Sequence, residues 1–492
     1  MEVPSELMSE NVKRRVRLCE LESALELPAG TTYYFCDIHG QGNKFFHIIN
    51  NKAGALKRKI DDALGYLTPD EHIRMLKICY YPREELGFEK EAFGDRYDEI
   101  VEKIIFSLGQ LIRFVGSKAT RRVFYRQVES SPFKNAMIEL ITASNDDKIS
   151  RDNVFTYQRS LIAAYRKQGL QEDLVCEMVR VLKNITVHKY VINGDIPDRG
   201  PDTARILDHL EQDPSVAINW GNHDLMWIGA AAGSRELIAE LVRIQLRYDN
   251  YPVLEDDYSI PLAELAAFAK KTYLADPAKG FAPSVRNEAG RYEPGLVTRM
   301  QKAIAVILWK LEAERSDVLG GTPYFARMRR SESGQIVVRI ADTDHVLLDQ
   351  DFPTFDERVP TLLTDDEKRV LDGLCGAFAK SERLQRHMRY LAEHGSMYQI
   401  LDGILSFHAI VPVNMDGTLC SVELLGEHFA GRALFDRLNA LYTSAFTEKG
   451  RRQEIFDLFY RAGRARIPGP SENRAWRHLR ARSSRTRPRT WR

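Results

Sequence analysis

Cysteine is scarce and scattered. Six occur in 492 residues, at Cys19, Cys36, Cys79, Cys176, Cys375 and Cys420, with no C-x-x-C pair among them. That spacing argues against a disulfide framework or a thiolate zinc site, and for buried or incidental thiols in a reducing cytoplasm. No run of about 18 uncharged apolar residues exists, so neither a spanning helix nor a membrane partner is expected. The opening MEVPSELMSENVKRRVRLCE lacks the apolar stretch of a secretory leader, which again points to the cytoplasm. Internal repeats are absent, and the one low-complexity stretch is the arginine-rich end. Charge of one sign is missing overall, with a formal net of +1. That balance hides an asymmetry: from Arg461 onward there are eleven arginines, no lysine and a single acid, Glu472. The preceding body is therefore mildly acidic and gives no support for nucleic-acid binding by the folded part. What is present is ordinary for a globular chain, 44% hydrophobic and 28% charged residues. At roughly 100–200 residues per domain the length suggests two to four structural units.

Three short β-rich runs stand out, each ending in polar residues. Thr31–Cys36 leads into Asp37-Ile38-His39-Gly40, Val187–Asn193 into Gly194-Asp195, and Ser215–Trp220 into Gly221-Asn222-His223-Asp224. A fourth core strand is expected at Ile404–Val411, with His408 in it or near its end. Between the first two runs the pattern is helical, as with Leu170, Leu174, Val175, Met178 and Leu182 on one face. Beyond the third, helices are expected after Pro261 and over Val297–Ala313, and a small hairpin over Gln335–Asp342 and His345–Leu348. This predicts an α/β protein.

The metal-type residues fall at the ends of these strands. Loops at the carboxyl ends of neighbouring strands in an open α/β sheet converge on one crevice. Asp37, His39, Asp195, Asn222, His223 and His408 would meet there, an oxygen and imidazole set suited to manganese, iron or zinc. Asp195 has two oxygens and could bridge two ions, which together hold a phosphoryl group and acidify water. Each residue alone has a plainer reading. Asp37 and Asp195 could be turn formers or helix caps, His39 and His408 satisfied core histidines, and Arg199 a surface ion-pair partner. His47, His188 and His209 are read as structural.

The ordered pieces Asp37-Ile38-His39, Gly194-Asp195-Ile196-Pro197-Asp198-Arg199-Gly200, Gly221-Asn222-His223-Asp224 and Phe407-His408 resemble the signature of the calcineurin-like metallophosphatases. The wording around them is similar to the class III fructose-1,6-bisphosphatases of bacteria. The similar stretches are Gly54–Ile60, Leu67–Leu76, Val187–Pro201, Ser215–Ser234, Arg247–Asn250 and His408–Gly417. The resemblance covers about residues 25 to 460. It implies a metallophosphatase-like sandwich with large, mainly helical insertions. Residues 1–53, 185–230 and 401–460 would form the core, with 401–460 incomplete, 54–184 and 231–400 the insertions, and 461–492 the arginine-rich tail. It further implies hydrolysis of the sugar bisphosphate D-fructose 1,6-bisphosphate to fructose 6-phosphate and phosphate in gluconeogenesis, by a hydroxide on a manganese pair. Asp37 and His39 then resemble ligands of one manganese, Asp195 the bridge, and Asn222 and His408 ligands of the second. His223 resembles the general acid, Asp198 its orienting carboxylate, Arg199 the phosphate clamp, and Asp224 at most a neighbour of the ligands.

One part of the pattern is missing. The superfamily closes with a Gly-His…His block supplying two more ligands, whereas only His428 and His478 follow His408, neither in that setting. Metal binding is therefore expected to be weakened. The tail after about Ala462 reads as an out-of-frame or aberrant end. Three alternatives stay open: a phosphoprotein or dinucleoside-polyphosphate phosphatase, a non-catalytic remnant, and a protein binding polynucleotides through its arginine tail. A homo-oligomer is also left open.

Overall fold

The computed structural model describes residues 10–25, 31–118, 124, 127–141, 148–285, 290–315, 327–340, 343–448, 450 and 452–463. The arginine-rich segment from 464 on, expected to be an aberrant tail, lies outside the described residues. The chain divides into two compact units, Met1–Tyr34 with Asn43–Val191, and Phe35–Gly42 with Ile192–Arg492.

The first unit is helical apart from the beginnings of two strands. Its local signals are legible. Thr68 caps the helix Pro69–Tyr80 through a reciprocal capping box with Glu71, and Pro69 occupies the first turn, where its missing N–H costs nothing. Helix Ala55–Ala63 turns Leu56 and Ile60 inward. Helix Gln171–Thr186 buries Leu174, Val175, Met178, Val179, Val181, Leu182 and Ile185, and these pack with Val101, Ile105, Leu108 and Ile112 of helix Tyr97–Lys118. Leu170 precedes that helix and remains partly exposed instead of joining the face.

Along the chain the strands are β1 (Thr32–Cys36), β2 (Lys189–Asn193), β3 (Val216–Asn219), β4 (Met328–Arg330), β5 (Ile336–Ile340), β6 (Thr343–Val346), β7 (Gly395–Ser396), β8 (Tyr398–Leu401), β9 (Ile404–Phe407), β10 (Val422–Leu424) and β11 (Glu427–Phe429). The central sheet has the order β1-β2-β3-β7, with β7 parallel to β3. The ends of β1 and β2, and all of β3 and β7, belong to the second unit. The expected fourth strand, Ile404–Val411, is corrected here. Only Ile404–Phe407 is extended, and it pairs antiparallel with β8 as a separate hairpin. The reason is local: Asp402 (φ 51°) and Gly403 (φ 78°) form a two-residue turn with both φ values positive, which folds β9 straight back on its predecessor.

The expected small hairpin is β5–β6, and β4 adds a third strand to it. It shares a core of Val306, Met328, Ile336, Val338, Leu347 and Phe352 with helix Pro294–Glu314. That helix also carries two lysines inward. Lys302 is enclosed by Asp276 and Asp349 (2.8 Å), and Lys310 by Glu367 (2.7 Å) and the Thr354 carbonyl (2.8 Å). Buried charges persist because each has found an opposite charge.

Candidate metal centre

Both loops that carry the expected ligands Asp37, His39 and Asp195 are held in an unfavourable backbone conformation. Asp37 (φ 55°) and His39 (φ 49°) follow β1, and Asp195 (φ 56°) follows β2, all in the left-handed region that side chains other than glycine seldom adopt. Such strain, of order 1–3 kcal/mol per residue, survives only where surrounding bonds over-determine it. Here they do. His39 N–H donates to the Asp195 carbonyl (2.7 Å) and Gly40 N–H to that of Ile196 (2.8 Å), while Gly200 N–H donates to the His39 carbonyl (2.8 Å). A methyl group on Gly200 would lie 2.4 Å from the His39 oxygen, so this approach requires glycine.

Asp224 fixes the second and third strand ends together. Fully buried, its carboxylate accepts from Asp195 N–H (2.7 Å), Gly221 N–H (2.7 Å) and Ile196 N–H (3.0 Å). Burial, reinforced by the charge of Asp195, pushes its carboxyl pKa upward, and the three donors pull against that shift. The Asp195 carboxylate in turn accepts from the His223 N–H (3.0 Å) in the first turn of helix Asn222–Ala232, where the helix dipole favours an anion. A methyl on Gly221 would sit 2.1 Å from that same Asp195 oxygen.

Asp198 stands between two imidazoles. Its Oδ2 lies 3.1 Å from His39 Nδ1 and its Oδ1 3.2 Å from His223 Nδ1, with the carboxylate side chain 3% exposed. The rings meet edge to face, their centroids 5.7 Å apart. A carboxylate only accepts, so its position favours the tautomer with the proton on Nδ1 in both rings, which leaves both Nε2 atoms for other work. Asp198, as contact and as charge, and then Asp195 raise the His39 pKa above its ordinary value, with burial opposing.

His408 follows β9 and reaches the same place from the far end of the chain. Its Nδ1 donates to the Asn193 carbonyl (2.6 Å), which leaves Nε2 3.5 Å from Asp195 Oδ2. A histidine ligand steadied through its other nitrogen by a carbonyl is the usual arrangement at a metal. Buried Asn219, at the end of β3, ties this corner by donating to Asn193 Oδ1 (2.7 Å) and Ser406 Oγ (3.0 Å).

Two groups of mutually close donors result. His39, Asp195 and His223 form one, and Asp37, Asp195 and His408 the other; within each, ligand atoms lie within 4.8 Å of one another. Asp195 belongs to both. By proximity, Asp37 gathers with His408 and His39 with His223. Asn222 opens the helix beside His223 and is half-buried. Arg199 is the exposed member of its loop, its Nε 3.7 Å from Asp198 Oδ2. Carboxylates and imidazoles converging with Nε2 atoms unspent fit a divalent cation of borderline hardness.

A third acidic and imidazole group is of another kind. Asp208, Glu211 and His387 also lie close together, but Asp208 pairs with Arg383 and Arg386 (2.6 Å), and Glu211 with Arg386 (3.1 Å). Two guanidinium groups already hold these carboxylates.

Sequence reasoning passed over residues that build the centre. Asp224 was placed only next to the ligands, and Asn219 received no role. Gly-Asn-His-Asp at a helix start was the available signal for Asp224, since an acid three residues after the cap reaches back to free amides. Nothing local marks Asn219, whose partners Asn193 and Ser406 lie in other strands.

The sequence matches the family model described as Firmicute fructose-1,6-bisphosphatase over residues 6–461. Similar proteins named fructose-1,6-bisphosphatase class 3 include one from Parabacteroides distasonis, 33% identical over 447 residues, which is 89% of this chain and 66% of that protein. One from Clostridioides difficile is 32% identical over 449 residues (90% and 67%), and one from Clostridium novyi 34% over 437 (87% and 64%). The chain spans about two thirds of the length of these curated relatives. No solved structure matches it.

Proposed function

The chain belongs to the Firmicute fructose-1,6-bisphosphatase family, and on that premise we propose that it hydrolyses D-fructose 1,6-bisphosphate to D-fructose 6-phosphate and phosphate, a gluconeogenic step. The observation that carries this is the meeting of Asp37, His39, Asp195, Asp198, His223 and His408, drawn from four separated stretches of chain, around one shared carboxylate. We read residues 1–53, 185–230 and 401–460 as a metallophosphatase core, with 54–184 and 231–400 as insertions. Asp37, His39, Asp195, Asn222 and His408 are assigned as the residues that would hold two manganese ions, with Asp195 serving both. When bound, such ions polarise a phosphoryl oxygen and acidify water at neutral pH.

The side chains account for the rest of the chemistry. Arg199, exposed beside the donors, pairs with the substrate's phosphate through its planar fork. Asp198, 3.2 Å from His223 Nδ1, orients that ring so that Nε2 can deliver a proton to the departing sugar oxygen. The same carboxylate fixes the tautomer of His39. Three backbone donors on Asp224 keep the Asp195 loop in its strained form, so the shared ligand is set before substrate arrives. The test is phosphate release from fructose 1,6-bisphosphate with and without manganese, alongside Asp195→Asn. Manganese-dependent release lost in the variant supports the proposal. Release equal in both proteins, or preferential cleavage of a phosphopeptide or dinucleoside polyphosphate in the same panel, contradicts it.

A further inference from the structure

Asp198, Arg199 and Gly200 form three consecutive positions of one loop, and a single segment, 245–250, contacts each in turn. Gln245 donates from Nε2 to the Asp198 carbonyl (2.8 Å). Asn250 donates from Nδ2 to the Gly200 carbonyl (3.0 Å) and to Gln245 Oε1 (2.9 Å). Both amides are buried, at 0% and 5% exposure. Between them, Tyr248 lies just past helix Arg235–Arg247, and its ring lies 5.6 Å from the guanidinium carbon of Arg199.

That ring matters because Arg199 has little else to hold it. Its side chain is 48% exposed, and its ion pair to Asp198 is long, at 3.7 Å, to an oxygen that His39 already approaches at 3.1 Å. A long flexible cation in that position would lose rotamer freedom when it binds an anion. An aromatic face removes part of that cost by holding the guanidinium beforehand, and it leaves the edge N–H groups free to bind.

We propose that Tyr248 is a substrate-positioning residue: its ring is the platform that keeps Arg199 turned to the phosphate-binding side of the site, and Gln245 and Asn250 lock platform and loop together. The proposal rests on the reading of Arg199 as the phosphate-binding group. A role confined to ending the helix would change stability, not anion affinity.

The test uses the manganese-loaded 492-residue chain with Tyr248→Leu, Tyr248→Phe, Arg199→Ala and the Arg199→Ala/Tyr248→Leu double variant. Inorganic phosphate binding is measured by equilibrium dialysis, with KM and kcat on fructose 1,6-bisphosphate and p-nitrophenyl phosphate, and thermal midpoints as the folding control. Tyr248→Leu should weaken phosphate binding and raise KM by about three- to tenfold, with kcat within about twofold and the midpoint unchanged. Tyr248→Phe should behave as wild type, and Tyr248→Leu should add nothing in the Arg199→Ala background. An undiminished Leu effect without Arg199, equal loss in Leu and Phe, a fall in kcat at constant KM, or no phosphate binding by the wild type overturns the proposal. Cleavage of p-nitrophenyl phosphate without cleavage of the sugar bisphosphate sinks the substrate assignment alone, and the platform is then judged on the aryl ester. Phosphate affinity unchanged in Arg199→Ala removes the role given to Arg199, and the platform with it.

Discussion

Replacing Asp198 with asparagine should separate what its charge does from what its shape does. The carboxylate lies against two Nδ1 atoms, those of His39 at 3.1 Å and His223 at 3.2 Å, in a pocket that leaves it nearly inaccessible. Asparagine has one acceptor oxygen, so it can serve one imidazole, and its amide N–H₂ then faces the other ring's N–H. One charge-assisted contact is lost and the other becomes neutral. At about 1.5–3 kcal/mol for a contact to a charged group against ~1 kcal/mol for a neutral one, the combined loss is about 2–5 kcal/mol. Expressed in turnover, this is roughly a 30- to 5,000-fold fall in kcat. KM should move little, because Asp198 faces the histidines and not the substrate. The His39 pKa should also drop, since Asp198 is the largest cause of its elevation. The assay is steady-state phosphate release across pH, with metal content measured on the same samples to separate lost metal from lost proton transfer. A variant that keeps kcat within threefold would refute the reasoning that one carboxylate organises both rings.

Other outcomes follow from the same structure. Asp224→Asn removes one of two acceptor oxygens facing three backbone donors and should cost about 2–3 kcal/mol in chemical denaturation, with weaker divalent binding by titration. Lys310→Met strands the buried Glu367 carboxylate and should destabilise by about 3–5 kcal/mol, whereas Lys310→Met with Glu367→Leu should recover most of the loss in the same denaturation series. Lys183 donates to the Tyr80 carbonyl (2.9 Å), and burial lowers its pKa to about 8. The folded protein therefore holds this proton less tightly than the unfolded chain does. Its destabilising effect is full below about pH 8 and disappears as pH rises toward the ordinary lysine value. Lys183→Met should stabilise the helical unit by about 1–3 kcal/mol at pH 7, with the gain shrinking between about pH 8 and 10.5, as read by hydrogen exchange.

The sequence made the strand ends legible because β-rich runs stop at Asp-x-His, Gly-Asp and Gly-Asn-His-Asp, residue types that seldom sit inside a strand. The helical character of the first unit was equally readable, since Thr68-Pro69 and the apolar spacing of Gln171–Thr186 are local signals. Three features were not. The hairpin at β8–β9 turned on the positive φ of Asp402, a residue that could as well have lain in an exposed loop. The bridging role of Asp198 between His39 and His223 depended on two loops far apart in sequence meeting through backbone hydrogen bonds. Lys302 and Lys310 interrupt an apolar helix face in the sequence, and only the positions of Asp276, Asp349 and Glu367 make them core residues.

The most direct test of the account is an anomalous-diffraction map of crystals grown with manganese. It should show two peaks flanking the Asp195 carboxylate, with His39 and His408 Nε2 within bonding distance. An absence of manganese at Asp195, or ions bound at Asp208 and His387 instead, would contradict it.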